Sequence, residues 1–316
     1  MCPNTVAYTS VINALGNSRK PDAAMKAYEM LMSMEAEYQK GNNDDLKPDM
    51  ICYSSVINAF AKTQGNDEVA GVKALELLDR MITLAENGQS NIGPNTQVYC
   101  SVITALGKSR AHGAADAAQK LLNDMERMFA FGNNDVAPNT IIFNAVLDAW
   151  AKSSFVFKAD KASEILHRME EELAEGNIMY KPDIITYNSV ISAGANSFGD
   201  VKVRRKAFKI ALDAFKKVQL SDDILPTPRT YTLLFKAIRK LIKDKKQRES
   251  MTKQIVKYCL RDGLLNSHIV RQLEMIYGPD RLLAVFQSFG YEGGDNKPIK
   301  MKEAPQSWRC NAHRLK

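Results

Sequence analysis

The fold of this chain follows from one stretch, Lys181-Pro182-Asp183-Ile184-Ile185-Thr186-Tyr187-Asn188-Ser189-Val190-Ile191, which the rest of the sequence repeats with variations. Each copy opens on a proline, and the successive intervals are 45, 46, 44, 44 and 44 residues: Pro3, Pro48, Pro94, Pro138, Pro182 and Pro226. A fixed period of about 20 to 50 residues is typical of solenoid architectures. The repetition therefore predicts a series of similar units that pack on their neighbours.

Two helices are predicted in every unit. Four apolar residues recur behind each proline at positions i, i+3, i+4 and i+7, and a second quartet with the same spacing follows. In the second copy the quartets are Tyr53, Val56, Ile57 and Phe60, then Ala74, Leu77, Leu78 and Met81. This spacing puts each quartet on one face of a helix. We predict an all-α fold, a right-handed α-solenoid of helix-turn-helix repeats with the first helix (A) inside and the second (B) outside.

The junctions between units share two features. A glycine, which favours the left-handed conformation that ends a helix, lies seven residues after the last core methionine of helix B: Gly41, Gly88, Gly132 and Gly176. An apolar residue lies two positions before each later proline, where it can pack on the next helix: Leu46, Ile92, Val136, Tyr180 and Ile224.

The repeats define the domain organisation. We predict five repeats within residues 1–225 (about 3–47, 48–93, 94–137, 138–181 and 182–225), then a degenerate sixth repeat and helical cap at 226–289. Residues 290–316 are predicted to be a poorly ordered tail. Because Pro3 already opens a repeat and would leave the first helix A uncovered, we expect the natural chain to extend upstream.

Charge is unevenly distributed along the chain. Residues 1–200 hold 17 Lys and Arg against 25 Asp and Glu, a net of −8, whereas residues 201–316 hold 26 against 11, a net of +15. The basic C-terminal third indicates a polyanionic partner, although solvated helix faces would have the same composition. No apolar run approaches the roughly 20 residues of a membrane span. The five cysteines form no CxxC pair, so a reducing compartment fits best.

The repeats resemble a known family. The run Pro182-Asp183-Ile184-Ile185-Thr186-Tyr187-Asn188-Ser189-Val190-Ile191-Ser192-Ala193 looks like the opening of a pentatricopeptide repeat, and the Ala-x-x-Ile/Leu-Leu-x-x-Met of helix B is similar to that family's second helix. The likeness covers residues 3 to 219 in five copies and extends weakly to a sixth. These copies are about ten residues longer than the family's usual repeat, whereas tetratricopeptide repeats are shorter still, at about 34 residues.

The resemblance implies sequence-specific binding of single-stranded RNA, one nucleotide per repeat. It assigns base choice to the fifth residue of helix A and the last residue of the repeat. We call these the reader column and the cap column. The implied pairs are Thr9 with Asp49, Ser54 with Asn95, Cys100 with Asn139, Asn144 with Asp183, and Asn188 with Thr227; Thr232 is a sixth reader. By analogy the five pairs favour guanine, adenine, adenine, uracil and a pyrimidine, and we expect the readers to face an open groove.

Two further columns follow from the resemblance. The stacking column, three residues before the readers, would sandwich bases: Val6, Ile51, Gln97, Ile141, Ile185 and Arg229. The lysine column, at the end of helix A, would contact phosphates: Lys62, Lys108, Lys152 and Lys240, with asparagine at positions 17 and 196. Simpler explanations exist for two columns, because Asn and Asp at a helix start also serve as N-caps. Lysines at a helix end also complement the helix dipole.

Catalysis is not predicted. The chain lacks the His-x-Glu and Cys-x-x-Cys of zinc deaminases and any carboxylate cluster suited to two metals, so we predict no catalytic residue, metal or cofactor. The favoured interpretation is an RNA-binding adaptor in mitochondria or plastids that acts with other RNA-processing proteins in the processing, stability, editing or translation of a transcript. The alternative is a protein-binding helical scaffold.

Overall fold

The computed structural model describes residues 4–18, 20, 22–41, 44–63, 68–292 and 304–312. Within these ranges the regular secondary structure is helical throughout, so the all-α prediction is confirmed. The helices are α1 Thr5–Ser18, α2 Ala23–Gln39, α3 Met50–Lys62, α4 Glu68–Glu86, α5 Thr96–Ser109, α6 Ala114–Ala130, α7 Thr140–Lys152, α8 Lys158–Ala174, α9 Ile184–Asn196, α10 Val201–Leu220, α11 Pro228–Leu241, α12 Lys245–Arg261, α13 Ser267–Tyr277, α14 Pro279–Gln287 and α15 Gln306–Arg309. No helix in the described ranges is both long and apolar enough to cross a bilayer.

The helices pack as stacked pairs in two compact units, Met1–Ser154 with Asn177–Tyr180, and Phe155–Gly176 with Lys181–Lys316. In the first unit α1, α3, α5 and α7 lie side by side as helices A, and α2, α4 and α6 pack against them as helices B. In the second unit α9 and α11 are adjacent helices A, and each packs against its own helix B, α10 or α12. Helical hairpins stacked in sequence are the predicted solenoid arrangement, whereas its right-handed twist stays a prediction.

The apolar quartets of helices A form the core from the second repeat onward, whereas in the first helix A only Ile12 is buried and Val11 is 46% exposed. In the second repeat Tyr53, Val56, Ile57 and Phe60 are all buried. The fifth repeat has Gly194 where the other helices A have a large apolar residue. A Cβ built there would lie 2.8 Å from the carbonyl oxygen of Ala207 and 2.9 Å from Cβ of Ala211, so the glycine permits close approach of α9 and α10.

The junctions form as predicted. The four glycines after helix B have positive φ: Gly41 (71°), Gly88 (93°), Gly132 (93°) and Gly176 (97°). The residues two before the proline are buried at four junctions and half-buried at Ile224. A threonine at the first position of helix A also forms hydrogen bonds to the junction that precedes the next helix A. The Thr96 hydroxyl donates to the carbonyls of Asp135 and Ala137, at 3.1 and 3.0 Å.

A recurrent polar contact, which we call the tyrosine clamp, joins neighbouring repeats. The Tyr53 hydroxyl on helix A donates to Glu35 on the preceding helix B, and Arg80 on the following helix B donates to the same carboxylate (Nε to Oε1, 2.8 Å). The second unit repeats the contact, since Tyr187 donates to Glu170 at 3.2 Å and Glu170 also accepts from Lys217. Each clamp therefore ties three helices from two repeats.

The C-terminal part closes on itself. The sequence predicts poor order from residue 290, but Trp308 is buried beside Phe286 and Tyr291, with ring centroids 5.7 and 6.4 Å apart. The Trp308 carbonyl accepts from the Leu265 amide at 2.8 Å. Residues 304–312 therefore depart from that prediction, because Trp308, which lies 43 residues after Leu265, covers the turn between α12 and α13. Residues 293–303 and 313–316 of the predicted tail lie outside the described ranges.

Candidate nucleic-acid interface

The cap column starts each helix A. The side-chain oxygen of every member accepts from a backbone N–H in the first turn: Asp49 from Cys52 (2.9 Å), Asn95 from Val98 (3.1 Å), Asn139 from Ile141 and Ile142 (3.0 and 3.2 Å), Asp183 from Thr186 (2.9 Å) and Thr227 from Thr230 (3.3 Å). Asn4 caps α1 in the same way, with Ala7 at 3.0 Å. The N-cap explanation of this column is therefore confirmed.

Capping also orients the group that the column presents to the outside. When Oδ1 of an asparagine accepts from the helix, its Nδ2 amide points away from the helix as a hydrogen-bond donor. The capping aspartate instead presents its second carboxylate oxygen, an acceptor. Asn95 and Asp49 thus occupy the same position with opposite hydrogen-bonding character. A ligand lying along these helix starts would meet a donor at one repeat and an acceptor at the next.

The reader column lies one turn inside helix A. The hydroxyls of Thr9, Ser54 and Thr232 donate to carbonyls of the preceding turn at 2.8, 3.2 and 2.8 Å, so each leaves a lone pair to offer a ligand. All three side chains are half-buried. Cys100 is also half-buried, and burial raises the pKa of its thiol, so it stays a neutral, weakly bonding group near pH 7.

Two readers are less open than the sequence predicts. Asn144 is 9% exposed and Asn188 is 6% exposed. The expectation that they face an open groove is therefore wrong for both. For Asn188 the structure provides the reason: its Nδ2 amide lies 3.4 Å from Oγ1 of Thr227, the cap residue of the next repeat, which covers it.

The other polar atom of the Asn188 side chain is its carbonyl oxygen, Oδ1. Its Oδ1 is buried and has no hydrogen-bond partner among the described residues. A buried unpaired carbonyl costs free energy, about 1–3 kcal/mol, unless a donor reaches it. The side-chain amide of Asn188 therefore makes one hydrogen bond through Nδ2, and its Oδ1 is an unpaired acceptor.

The stacking column is the most exposed part of the interface. Val6, Ile51, Ile141 and Ile185 are 71, 53, 65 and 57% exposed. Gln97 and Arg229, the two departures from aliphatic character, are exposed as well. Each of these residues lies next to a capped helix start, so the exposed aliphatic groups recur at the same position of the repeat.

The lysine column makes contacts within the protein. Lys62 Nζ donates to Oδ1 of Asn17 at 2.8 Å, and Lys108 donates to the carbonyl of Ala61 near the end of the neighbouring helix A. Lys152 pairs with Asp148 one turn back on the same helix, while Lys240 is exposed. The Lys108 contact is what the helix-dipole explanation predicts.

A basic side chain one turn before Lys240 was not predicted from the sequence. Lys236 donates to Oδ1 of Asn196 at 2.6 Å, so it takes the place opposite Asn196 that Lys62 takes opposite Asn17. Lys236 lies four residues before Lys240 in α11, so the equivalence is not seen when the repeats are aligned position by position.

Two family models agree with the resemblance. A family model described as a pentatricopeptide repeat domain matches residues 120–197, and a model of the single repeat matches residues 6–35. No curated protein matches the chain. Among solved structures, the chain is similar to the pentatricopeptide repeat protein PPR10 in complex with an 18-nt psaJ RNA element, and to a cysteine-to-serine variant of it. In both cases the identity is 19%, the TM-score is 0.44, and the match covers 93% of this chain and 40% of the other.

Proposed function

This chain is built from pentatricopeptide repeats, and on that premise we propose that it binds single-stranded RNA along the starts of its helices A. Each repeat reads one base through its reader residue and the cap residue that follows. Exposed aliphatic side chains separate neighbouring bases, and lysines near the ends of the helices contact the backbone.

The stacking column is the observation that supports this function best. Four aliphatic side chains are each more than half exposed, and their hydration is unfavourable in free energy. Burial of these side chains between bases would remove that unfavourable hydration. Isolated exposed apolar residues need no explanation, but here they recur at one position of the repeat. The capped helix starts beside them present both donors and acceptors, which base edges require.

The hydrogen-bonding character of each repeat sets its expected base. Ser54 and Asn95 combine a hydroxyl with an amide donor, which suits adenine, whereas Thr9 and Asp49 offer a carboxylate acceptor, which suits guanine. In the fifth pair, the open acceptor of Asn188 suits the N3–H of uracil or the N4 amine of cytosine. This agrees with the pyrimidine expected there.

A single-residue exchange tests the base-reading mechanism. Asn95→Asp keeps the cap, because both residues cap helices equally well, but replaces the donor by an acceptor. We expect selection from a random RNA library to change the base at the second position from adenine to guanine, with an unchanged melting temperature. Asp49→Asn is the reciprocal variant at the first position. An unchanged selected sequence for both variants would refute the base-reading mechanism.

The cellular role follows the family. We propose that the protein acts on a mitochondrial or plastid transcript, in its processing, stability, editing or translation. Five read bases recur about once per 1,000 positions, so a partner protein or further repeats must supply the remaining specificity. Crosslinking and sequencing of bound RNA from isolated organelles tests this role, and enrichment of cytosolic messages alone would contradict it.

One cavity favours a second candidate function, protein binding. A space of about 630 Å³ opens between helices α4 and α6, with Tyr99 among its lining residues. Ile82 stands at the repeat position that Glu35 and Glu170 occupy in the tyrosine clamps, so this interface lacks the carboxylate. Phe131, also lining the cavity, is 92% exposed. A pull-down that depends on Phe131 but not on RNA would support a scaffold role.

A further inference from the structure

Basic and aromatic side chains meet at the turns between helices A and B in the fourth and fifth repeats. The turn before α8 carries Phe155 and Phe157, whose ring centroids are 5.9 Å apart, and the turn after α9 carries Phe198. All three rings are exposed, by 40, 51 and 46%. Packing holds the two turns together, because a Cβ on Gly199 would lie 3.3 Å from Val156.

One lysine lies beside the Phe198 ring, and two more lie close enough to that lysine to influence its charge. Lys158 is 3% exposed, and its Nζ lies 5.2 Å from the centroid of the Phe198 ring. The start of α8 packs on α9 and α11, since Ala159 shares an apolar cluster with Ala195 and Ala237. Lys236 and Lys240 flank Ala237 on α11. Burial, then the charges of Lys240 and Lys236, lower the pKa of Lys158 to about 8.

These six residues, Phe155, Phe157, Lys158, Phe198, Lys236 and Lys240, form what we call the turn surface. Like charges held this close repel one another, and a bound anion would relieve the repulsion. Exposed rings next to ammonium groups provide both parts of a single-stranded nucleic-acid contact, stacking for a base and charge for a phosphate. An acidic protein would use the lysines but would gain little from flat, separate rings.

We propose that the turn surface binds a nucleotide that flanks the bases read by the repeats, with its base against Phe198 and its phosphate held by Lys236 and Lys240, while the buried charge of Lys158 beneath them adds to the attraction. This inference rests on the proposed function and extends it to residues outside the four columns, sharing only Lys240 with the lysine column. Asn188 and Asn196 are eight residues apart on α9, which is about 12 Å along the helix, so the turn surface is separate from the reader column. Because stacking accepts any base, the contact adds affinity without sequence preference.

The test compares two RNAs on the full chain. One carries only the five read bases, and the other carries the same five with three uridines on each side. The variant Lys158→Met/Lys236→Met removes two charges and keeps the apolar stems, and Lys209→Met/Lys216→Met removes two exposed charges from α10 as the matched control. Phe198→Ala removes the ring.

We expect the Lys158/Lys236 variant to bind the flanked RNA at least about 10-fold more weakly in 0.1 M salt, with a salt slope lower by about 1 to 1.5. Phe198→Ala should weaken it about 5- to 100-fold. Phe198→Ala should bind the five-base RNA like the wild type. The Lys158/Lys236 variant should lose less affinity for the five-base RNA than for the flanked RNA, and the control should change either affinity less than about twofold, within the range of exposed charges.

Each outcome has a defined meaning. Equal affinity of wild type and both variants for the flanked RNA would overturn the proposal, as would an equal loss for both RNAs. Loss of binding to an acidic peptide with RNA binding intact would also overturn it, in favour of a protein partner. If Asn95→Asp leaves base preference unchanged while the turn-surface variants still weaken flanked RNA, the base-reading mechanism fails and the turn surface stands.

Discussion

Replacing Glu35 should uncouple the first repeat from the second. The Glu35 carboxylate is buried between α2, α3 and α4, where it accepts from the Tyr53 hydroxyl and from Arg80. Glu35→Ala leaves a 1% exposed tyrosine without an acceptor and separates Arg80 from its counter-charge. Because repeat proteins are stabilised mainly between neighbours, this loss should act on one interface.

The magnitude follows from burial. An unsatisfied buried hydroxyl costs about 1–3 kcal/mol. The ion pair adds only about 1 kcal/mol, because the Arg80 side chain is 41% exposed and can be solvated once Glu35 is gone. We therefore expect Glu35→Ala to lower the free energy of unfolding by about 2–4 kcal/mol, and Tyr53→Phe to lower it by about 1–2 kcal/mol.

Urea denaturation of the two single variants and the double variant measures the coupling directly. The double variant should lose about 1 kcal/mol less than the sum of the single losses, because both changes break one contact. Hydrogen exchange should accelerate in α1 and α2 before the other helices. Glu37→Ala, on the exposed side of the same helix, is the control and should change stability by less than about 0.5 kcal/mol. Additive losses, or a Glu35→Ala cost no larger than that of the control, would refute the clamp.

Three further predictions concern single sites. Lys158→Met should be about 1–3 kcal/mol more stable than wild type at pH 7. The pKa of Lys158 in the folded state is lowered to about 8 from 10.5, so the charge of Lys158 destabilises the wild type fully below pH 8 and ceases to do so as the pH rises through 10.5. Denaturation measured at pH 7 and pH 10 should give a smaller stability difference between variant and wild type at pH 10, and an equal difference would contradict this. Gly194→Ala should cost about 1–3 kcal/mol by overpacking α9 against α10, and an unchanged urea midpoint would exclude that contact. Trp308→Ala should cost about 3–5 kcal/mol and leave residues 304–312 sensitive to protease, whereas unchanged cleavage would show that the anchor is dispensable.

The local structure of this protein was predictable because it repeats. Gly132 lies seven residues after Met125, as Gly88 does after Met81, and each has the positive φ that the spacing predicts. The apolar quartets and the caps at Asp49 and Asn95 follow from the same periodicity. A feature seen at several equivalent positions needs only short-range chemistry to be recognised.

Features that depend on distant residues were harder to predict. The covering of Asn188 depends on Thr227, 39 residues away, and no helix-face pattern reports that distance. The Trp308 anchor pairs with Leu265, which belongs to no repeat. The tyrosine clamp was detectable in principle, because Glu35 and Arg80 are 45 residues apart and Glu170 and Lys217 are 47 apart, close to the repeat length.

On the base-reading mechanism proposed above, the cap residues serve two purposes, and this double use would restrict how such a protein can evolve. A position that must begin a helix accepts few amino acids, mainly Asn, Asp, Ser, Thr and Gly. The hydrogen-bonding groups that it can offer to a ligand are therefore limited by the need to cap the helix. Exchanges among these residues leave the stability of the fold nearly unchanged. New RNA targets are therefore accessible by single steps through folded intermediates, whereas a change to an aliphatic residue would lose the helix start and the recognition group together.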